Sequence, residues 1–287
     1  MTARILDGKA LAAQVRSEVT ERVRALAERG VTPGLAAVLV GDDQASRIYV
    51  GQKHKACADV GIRSEQVDLP VYVTEHELMA TIRRLNRDPE IHGILVQLPL
   101  PGHLSELGVQ TAIAPEKDVD GLHPLNIGLM LRKGSTFLPA TPYGIVELLL
   151  RSGIPLEGAE VCIVGYGDLV GSPLSVMLAQ NTIRGNATVT STHIKTRDLE
   201  RHTRAADILV AAAGVPHLIR GDMVKPGATV IDVGVHRTPD GLVGDVVFDE
   251  AVEVARAITP VPGGVGPMTV AMLLVNTVAA AEAQAYR

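Results

Sequence analysis

Short apolar runs alternate with amphipathic stretches along the whole chain, and this alternation predicts an α/β fold. Leu35–Val40 (LAAVLV) is continuously apolar, as a strand covered on both faces must be. Val15–Ala27 before it has a polar helical face and stops at Gly30. Gly41–Asp43 turns the chain, and Ser46–Val60 has helical periodicity up to Gly61. A strand at Glu65–Leu69, a helix at Glu75–Arg87 and a strand at Gly93–Leu98 follow, then a loop-rich segment over Pro99–Thr136. A second series begins near Thr141. It has a helix at Pro142–Arg151, a strand at Glu160–Gly165 and a helix at Ser172–Gln180, with Ser172 as N-cap and Pro173 in the first turn. Strands at Ala187–Thr192, Ile208–Ala213 and Ala228–Val233, with a helix at Arg197–Ala206, complete a parallel, doubly wound pattern. The apolar helix from Met268 comes after these strands and is expected to pack back on the first series. The predicted domains are therefore residues 1–140 plus 268–287, and residues 141–267.

Composition narrows the function. A chain of 287 residues has room for two domains, and a formal charge of −5 argues against a nucleic-acid footprint. Met1–Asp7 has no apolar h-region, so no secretory leader is expected. Met268–Ala281 is shorter than the roughly 20 residues of a membrane span, and a buried helix with no membrane association is expected. Cys57 and Cys162 lie on different elements, which makes a disulfide framework or thiolate zinc site improbable. The nine histidines show no metal-binding spacing, and no metal site is expected.

Val164–Pro173 reads VGYGDLVGSP, a glycine loop between an apolar strand and a helix. This is the context of a dinucleotide site. Gly165 would allow a tight turn, Gly167 close approach of the backbone to a pyrophosphate, and Gly171 helix–strand packing. The G-x-G-x-x-x-G spacing is less discriminating than G-x-G-x-x-G, and an ordinary glycine-rich turn is the plain alternative. The next strand ends at Thr192–Ile194 with no acid to take the adenosine ribose and no arginine or serine for an added phosphate. Lys195 and Arg197 stand nearby.

The reactive side chains fall elsewhere. Tyr49 and Lys53, four apart, share a helix face just after the first long strand, beside Asp43, Gln44 and Ser46. The strand at Gly93–Leu98 should deliver Gln97 to the same rim, and the next loop carries Asp118 and Asp120. Each has a plain explanation taken singly, as a surface contact or a solvated acid. Their convergence on the carboxyl ends of one sheet argues for a site. Thr259–Thr269 (TPVPGGVGPMT), with three prolines and three glycines, reads as a shaped wall with exposed amides.

With these motifs assembled, the chain resembles the bifunctional methylenetetrahydrofolate dehydrogenase/cyclohydrolase family. The resemblance is carried by GDDQASRIYVGQK at Gly41–Lys53, GILVQLPLP at Gly93–Pro101, EKDVDGLHPLN at Glu116–Asn126, VIDVGV at Val230–Val235, GDV at Gly244–Val246 and the Pro/Gly turn. It runs from LDGK at Leu6–Lys9 to the last helix. It implies a folate-binding catalytic domain, a Rossmann-like nucleotide domain and a cleft between them. The implied chemistry is oxidation of the methylene bridge of tetrahydrofolate by hydride transfer to a nicotinamide, then hydrolysis of the methenyl product to 10-formyltetrahydrofolate. Lys53, Tyr49 and Gln97 would be the catalytic residues. Lys53 would be the neutral amine that assists water addition, Gln97 its partner, and Tyr49 the residue that packs on the pterin and orients the lysine. Tyr49 and Gln97 would also bind the folate. Asp120 would receive the pterin N–H donors, while Asp118 is read as structural. Pro262, Gly263 and Gly264 would line the folate. Gly165, Tyr166, Gly167, Gly171, Ile194, Gly214 and Val235 would line the nucleotide. The resemblance also implies a cytoplasmic homodimer.

The departures bear on the cofactor. Tyr166 and Gly167 stand where the family has Arg and Ser, and Ile194 stands where it has a serine after the strand histidine. That arginine and that later serine help hold the 2′-phosphate of NADP, so NADP is implied by resemblance while NAD is open as the alternative or preferred cofactor. Ala140 replaces a cysteine common in the family. Competing readings are a cyclohydrolase with weakened dehydrogenase activity, a non-catalytic folate- or nucleotide-binding homologue, and a dehydrogenase of amino or hydroxy acids. The last lacks the expected arginine or histidine at the rim.

Overall fold

The computed structural model describes residues 2–134, 137–239 and 241–285. In chain order the elements are β1 (Arg4–Ile5), α1 (Gly8–Ala27), β2 (Gly34–Val40), α2 (Gln44–Val60), β3 (Arg63–Leu69), α3 (Glu75–Arg87), β4 (Gly93–Val96), α4 (Glu106–Ala112), α5 (Pro124–Leu131) and α6 (Ala140–Arg151). They continue with β5 (Glu160–Val164), α7 (Gly171–Ala179), β6 (Thr188–Thr192), α8 (Leu199–Thr203), β7 (Ile208–Ala211), β8 (Thr229–Asp232), β9 (His236–Thr238), β10 (Gly241–Val243), α9 (Phe248–Val254), β11 (Ala257–Ile258) and α10 (Val265–Ala285). The chain forms two compact units.

One unit comprises Ala13–Ala140 and Val270–Arg287. Its sheet has the order β3-β2-β4, all parallel, with β2 central and every residue of β2 buried. This is why Gly34–Val40 reads as unbroken apolar sequence: neither face meets water. Leu78, Ile82 and Leu85 of α3 recur at helical spacing and pack with Ala36, Val38, Ile94 and Val96. The start of α3 is held by a capping box, Thr74 accepting from the Glu77 amide while Glu77 accepts from Thr74. The segment expected to be loop-rich contains α4 and α5. These helices are too short for a clear period, and α5 starts on Pro124.

The other unit comprises Met1–Ala12 and Thr141–Thr269. Its six parallel strands have the order β1-β11-β8-β7-β5-β6. From β5 the chain steps out to β6, then crosses back to β7 on the other flank. That reversal makes the doubly wound switch point at the carboxyl ends of β5 and β7. Leu209, Val230 and Ile258 anchor its core with Ile219 and Met223.

Two expectations need correction here. Residues 1–12 belong with the six-strand unit, not with the first series, because β1 pairs with β11 through Arg4↔Ala257 and Ile5↔Ile258. The last helix begins at Val265 and spans 21 residues, longer than the uncharged run suggested. By length and composition it could cross a bilayer, yet most of its residues are buried inside the protein, as in a core helix.

Candidate active site

The carboxyl ends of β2 and β4 present the first cluster. Asp43 caps α2, its Oδ2 accepting from the Ser46 amide at 2.7 Å, and Gly61 closes the helix in the left-handed region. Lys53, three turns into α2, is 9% exposed, and its Nζ donates to Gln97 Oε1 at 3.1 Å. Gln97 continues the sheet just past β4, its amide bonded to the Val38 carbonyl. Its Nε2 donates to the Leu98 carbonyl at 2.7 Å, which fixes the carboxamide with its oxygen toward the lysine.

Burial holds the Lys53 amine below its usual range, while Asp120 and Cys57 pull weakly the other way. Cys57, one turn along α2, was not singled out in the sequence. Burial pushes its thiol up to about 12, so it packs as a thiol and is no nucleophile. Tyr49 lies one turn before Lys53 and is half-exposed. Lys53, Gln97 and Asp120 are therefore brought together, with Tyr49 on the same helix.

Asp120 sits on a pinned loop. Asp118 is buried and accepts from the Leu122 and His123 amides and from Asn126 Nδ2 at 2.8 Å. Asn276 of α10 donates to the Val119 carbonyl, and the Ala140 amide donates to the Asp120 carbonyl. Asn276 escapes sequence reading because it stands in the apolar middle of α10, where one amide gives no spacing to read. Desolvation raises the Asp118 carboxyl, and its three donors offset part of that cost. Such a loop holds the partly buried Asp120 in place.

The six-strand unit holds the second cluster. Gly165 has φ of +106°, and a Cβ there would meet the Ala212 carbonyl at 2.1 Å. A Cβ on Gly171 would lie 1.9 Å from the Gly165 carbonyl, whereas Gly167 faces open space. α7 starts at Gly171, with Val170 as N-cap, and not at the expected Ser172 and Pro173. Val170 supplies no side-chain acceptor. Open space over Gly167 and a helix start without a side-chain cap fit a bound pyrophosphate. Tyr166 is half-exposed, and Ile194, just after β6, is 96% exposed. Lys195 and Arg197 are exposed in the same turn, which is tied by His193 and Thr196. Gly214 follows β7 with a positive φ, and Val235 follows β8 half-exposed.

The Pro/Gly turn differs from expectation. Pro262 is exposed, but Gly263 and Gly264 are buried. A Cβ on Gly8 would fall 1.8 Å from the Gly264 carbonyl, so the LDGK segment lies directly against the turn. Gly263 has a φ of +112°, and a Cβ on Gly264 would lie 2.7 Å from the Pro260 carbonyl oxygen, so backbone shape accounts for the first glycine and close packing for the second. Among the described residues, no group of three or more His, Cys, Asp or Glu could hold a metal ion.

Two family models match this chain. Tetrahydrofolate dehydrogenase/cyclohydrolase, catalytic domain, matches residues 6–120, and tetrahydrofolate dehydrogenase/cyclohydrolase, NAD(P)-binding domain, matches residues 139–285. The chain belongs to the tetrahydrofolate dehydrogenase/cyclohydrolase family. A relative from Bordetella petrii, called bifunctional protein FolD, is 57% identical over 98% of this chain and 94% of its own. The methylenetetrahydrofolate dehydrogenase/cyclohydrolase FolD of Campylobacter jejuni superposes with a TM-score of 0.93 at 47% identity, covering 98% of this chain and 99% of that one. The Trypanosoma brucei enzyme, solved with NADP cofactor and an inhibitor, is 42% identical with a TM-score of 0.93, covering 99% and 98%. As a member of the tetrahydrofolate dehydrogenase/cyclohydrolase family, the protein oxidises 5,10-methylenetetrahydrofolate with a nicotinamide nucleotide and hydrolyses the methenyl product to 10-formyltetrahydrofolate.

Proposed function

We propose that Lys53 is the proton-handling group of the hydrolytic step. The observation that carries this is a buried amine held by Gln97 and kept below its usual range by desolvation. A neutral amine can lie beside the methenyl cation without charge repulsion. Water adds to the methenyl carbon as its proton passes to Lys53 Nζ. The resulting ammonium returns that proton to N5 as the carbon–N5 bond breaks. The carbinolamine hydroxyl then gives its proton to the freed amine and on to water, leaving the formyl group on N10 with one proton released overall. Gln97 Oε1 accepts from the amine in both states and keeps it aimed. Tyr49 packs against the pterin side, and Asp120 accepts its amino and ring N–H donors. Pro262, with Gly263 and Gly264 shaping its turn, contributes to the folate wall.

When bound, the nicotinamide nucleotide supplies a hydride acceptor for the methylene carbon. Gly165, Gly167 and Gly171 would hold its pyrophosphate, Tyr166 and Ile194 its adenosine end, and Gly214 and Val235 the opposite end. NADP is the cofactor in the Trypanosoma brucei complex. Here Tyr166 and Ile194 offer the 2′-phosphate neither charge nor a donor at Ile194, so NAD serves comparably or better. Loss of a charge-assisted contact is worth about 1.5–3 kcal/mol, or roughly 10–100-fold in affinity. Absorbance assays of methylenetetrahydrofolate oxidation run in parallel with NAD and NADP test this. A strong NADP preference would show that Lys195 or Arg197 compensates. No oxidation with either, beside normal methenyl hydrolysis, would leave a cyclohydrolase alone. The family resemblance further supports a cytoplasmic homodimer, which sedimentation equilibrium checks.

A further inference from the structure

The VIDVGV and GDV motifs have no part in the chemistry so far, yet they bury two carboxylates under the rim of the six-strand sheet. Asp245 has no exposure and Asp232 has 4%. Asp232, the last residue of β8, accepts from the Gly234 and Asp245 amides on Oδ1 at 3.1 and 2.9 Å, and from the Val246 amide on Oδ2 at 3.0 Å. Asp245 accepts from the Ala213 and Gly214 amides on Oδ2 at 2.7 and 2.9 Å, and its Oδ1 lies 2.7 Å from His236 Nε2. Two glycines make room for these approaches. A Cβ on Gly234 would sit 2.2 Å from Asp245 Oδ1, and one on Gly244 would sit 1.8 Å from Asp232 Oδ2. The two acids thus join the loop after β7, the loop after β8 and the segment after β10.

The sheet order says what that junction serves. The glycine loop follows β5, and in a doubly wound sheet the adenosine ribose lies toward the next strand, β6. The nucleotide must then extend across the reversal, over the ends of β7 and β8, where Gly214 and Val235 stand. Those are the two loops that Asp245 and Asp232 hold. Both acids are buried and bonded within the protein, so they act on a ligand through the loops they hold.

We propose that Asp245, seated by Asp232 and His236, is a positioning residue that fixes the 213–214 and 234–236 loops to receive the nicotinamide half of the cofactor. This rests on the nicotinamide reading given above. Asp245→Asn keeps the shape but trades one accepting oxygen for an amide, so either the 213–214 amides or the His236 ring lose their acceptor. A rim displaced by a fraction of an ångström should raise KM for NADP about tenfold or more, with a smaller fall in kcat. Titration of the variant with NADPH, followed by nucleotide fluorescence, should show the same weakening. Methenyl hydrolysis measured without nucleotide should stay within about twofold of wild type, because Lys53 and Gln97 belong to the other unit. Wild-type binding of NADPH or NADH in the same titration is the control, and absence of binding by both would strike the nicotinamide reading itself. NADPH binding unchanged in Asp245→Asn overturns the proposal. So does hydrolysis falling as far as oxidation, which would make the acid a support of the fold alone. Should Asp245→Asn fail to accumulate, His236→Gln decides the matter: KM for NADP rising about threefold supports the assignment, and an unchanged KM refutes it.

Discussion

A primary amine shut away beside Gln97 is an unstable choice for a folded chain and a useful one for handling protons. Replacing it by an apolar chain of similar length separates the two properties. Lys53→Met should lower methenyl hydrolysis at least about 100-fold, as expected for a lost general acid/base, and the decay of methenyl absorbance measures it. The same variant should gain about 1 kcal/mol in denaturant unfolding, because the desolvated amine is gone. The sign with pH follows from the lowered value. The neutral fraction grows as pH rises through the folded-state pKa, so kcat/KM of hydrolysis should climb on a limb centred below 10.5. The linked folding penalty is fully present below that pKa and is relieved as pH rises toward 10.5. A flat hydrolysis profile across this range would remove Lys53 from the step. These residues were legible in the sequence because Tyr49, Lys53, Gln97 and Asp120 sit in long, unusual motifs at strand ends. Gly263 and Gly264 are open to two readings in sequence, since close packing and ligand approach both select glycine. Asp245 was passed over because a lone acid among the apolar residues of GLVGDVVF does not by itself show which groups it bonds.

Helices and strands were legible to the degree that each meets one environment along its length. β2, β5 and β7 are covered on both faces and read as apolar runs, and α3 has one buried face with a capping box. β1 and β11 have two residues each, too few for any period, and the β9–β10 hairpin is largely polar. The cap of α7 was placed two residues late because Ser172 and Pro173 are strong start signals, whereas the helix begins on the packed Gly171 after Val170. The cap on α2 matters more for function, because α2 carries Tyr49 and Lys53. Asp43→Ala removes the acceptor of the Ser46 amide and should cost about 1 kcal/mol, lowering the melting temperature by a few degrees. Hydrolysis at low temperature should persist, since the cap lies more than two turns from the amine. A melting temperature equal to wild type would show that α2 starts without this bond.

Across the whole molecule, nucleotide and folding equilibria are linked, so thermal shift ranks the cofactors without an assay of turnover. A ligand at 100 times its Kd adds about 2.7 kcal/mol to the stability of the form that binds it. At matched concentrations NAD should raise the melting temperature as much as NADP does, if the exposed Ile194 and Tyr166 leave the 2′-phosphate unheld. A clearly larger shift with NADP would contradict that. The two-residue β1 has a different consequence. It is a hem on the six-strand sheet, taking up hydrogen-bonding groups of β11 that a neighbouring molecule could otherwise zip onto. Trimming residues 2–6 would leave both catalytic clusters in place but turn that border adhesive, and light scattering that grows with protein concentration would reveal it.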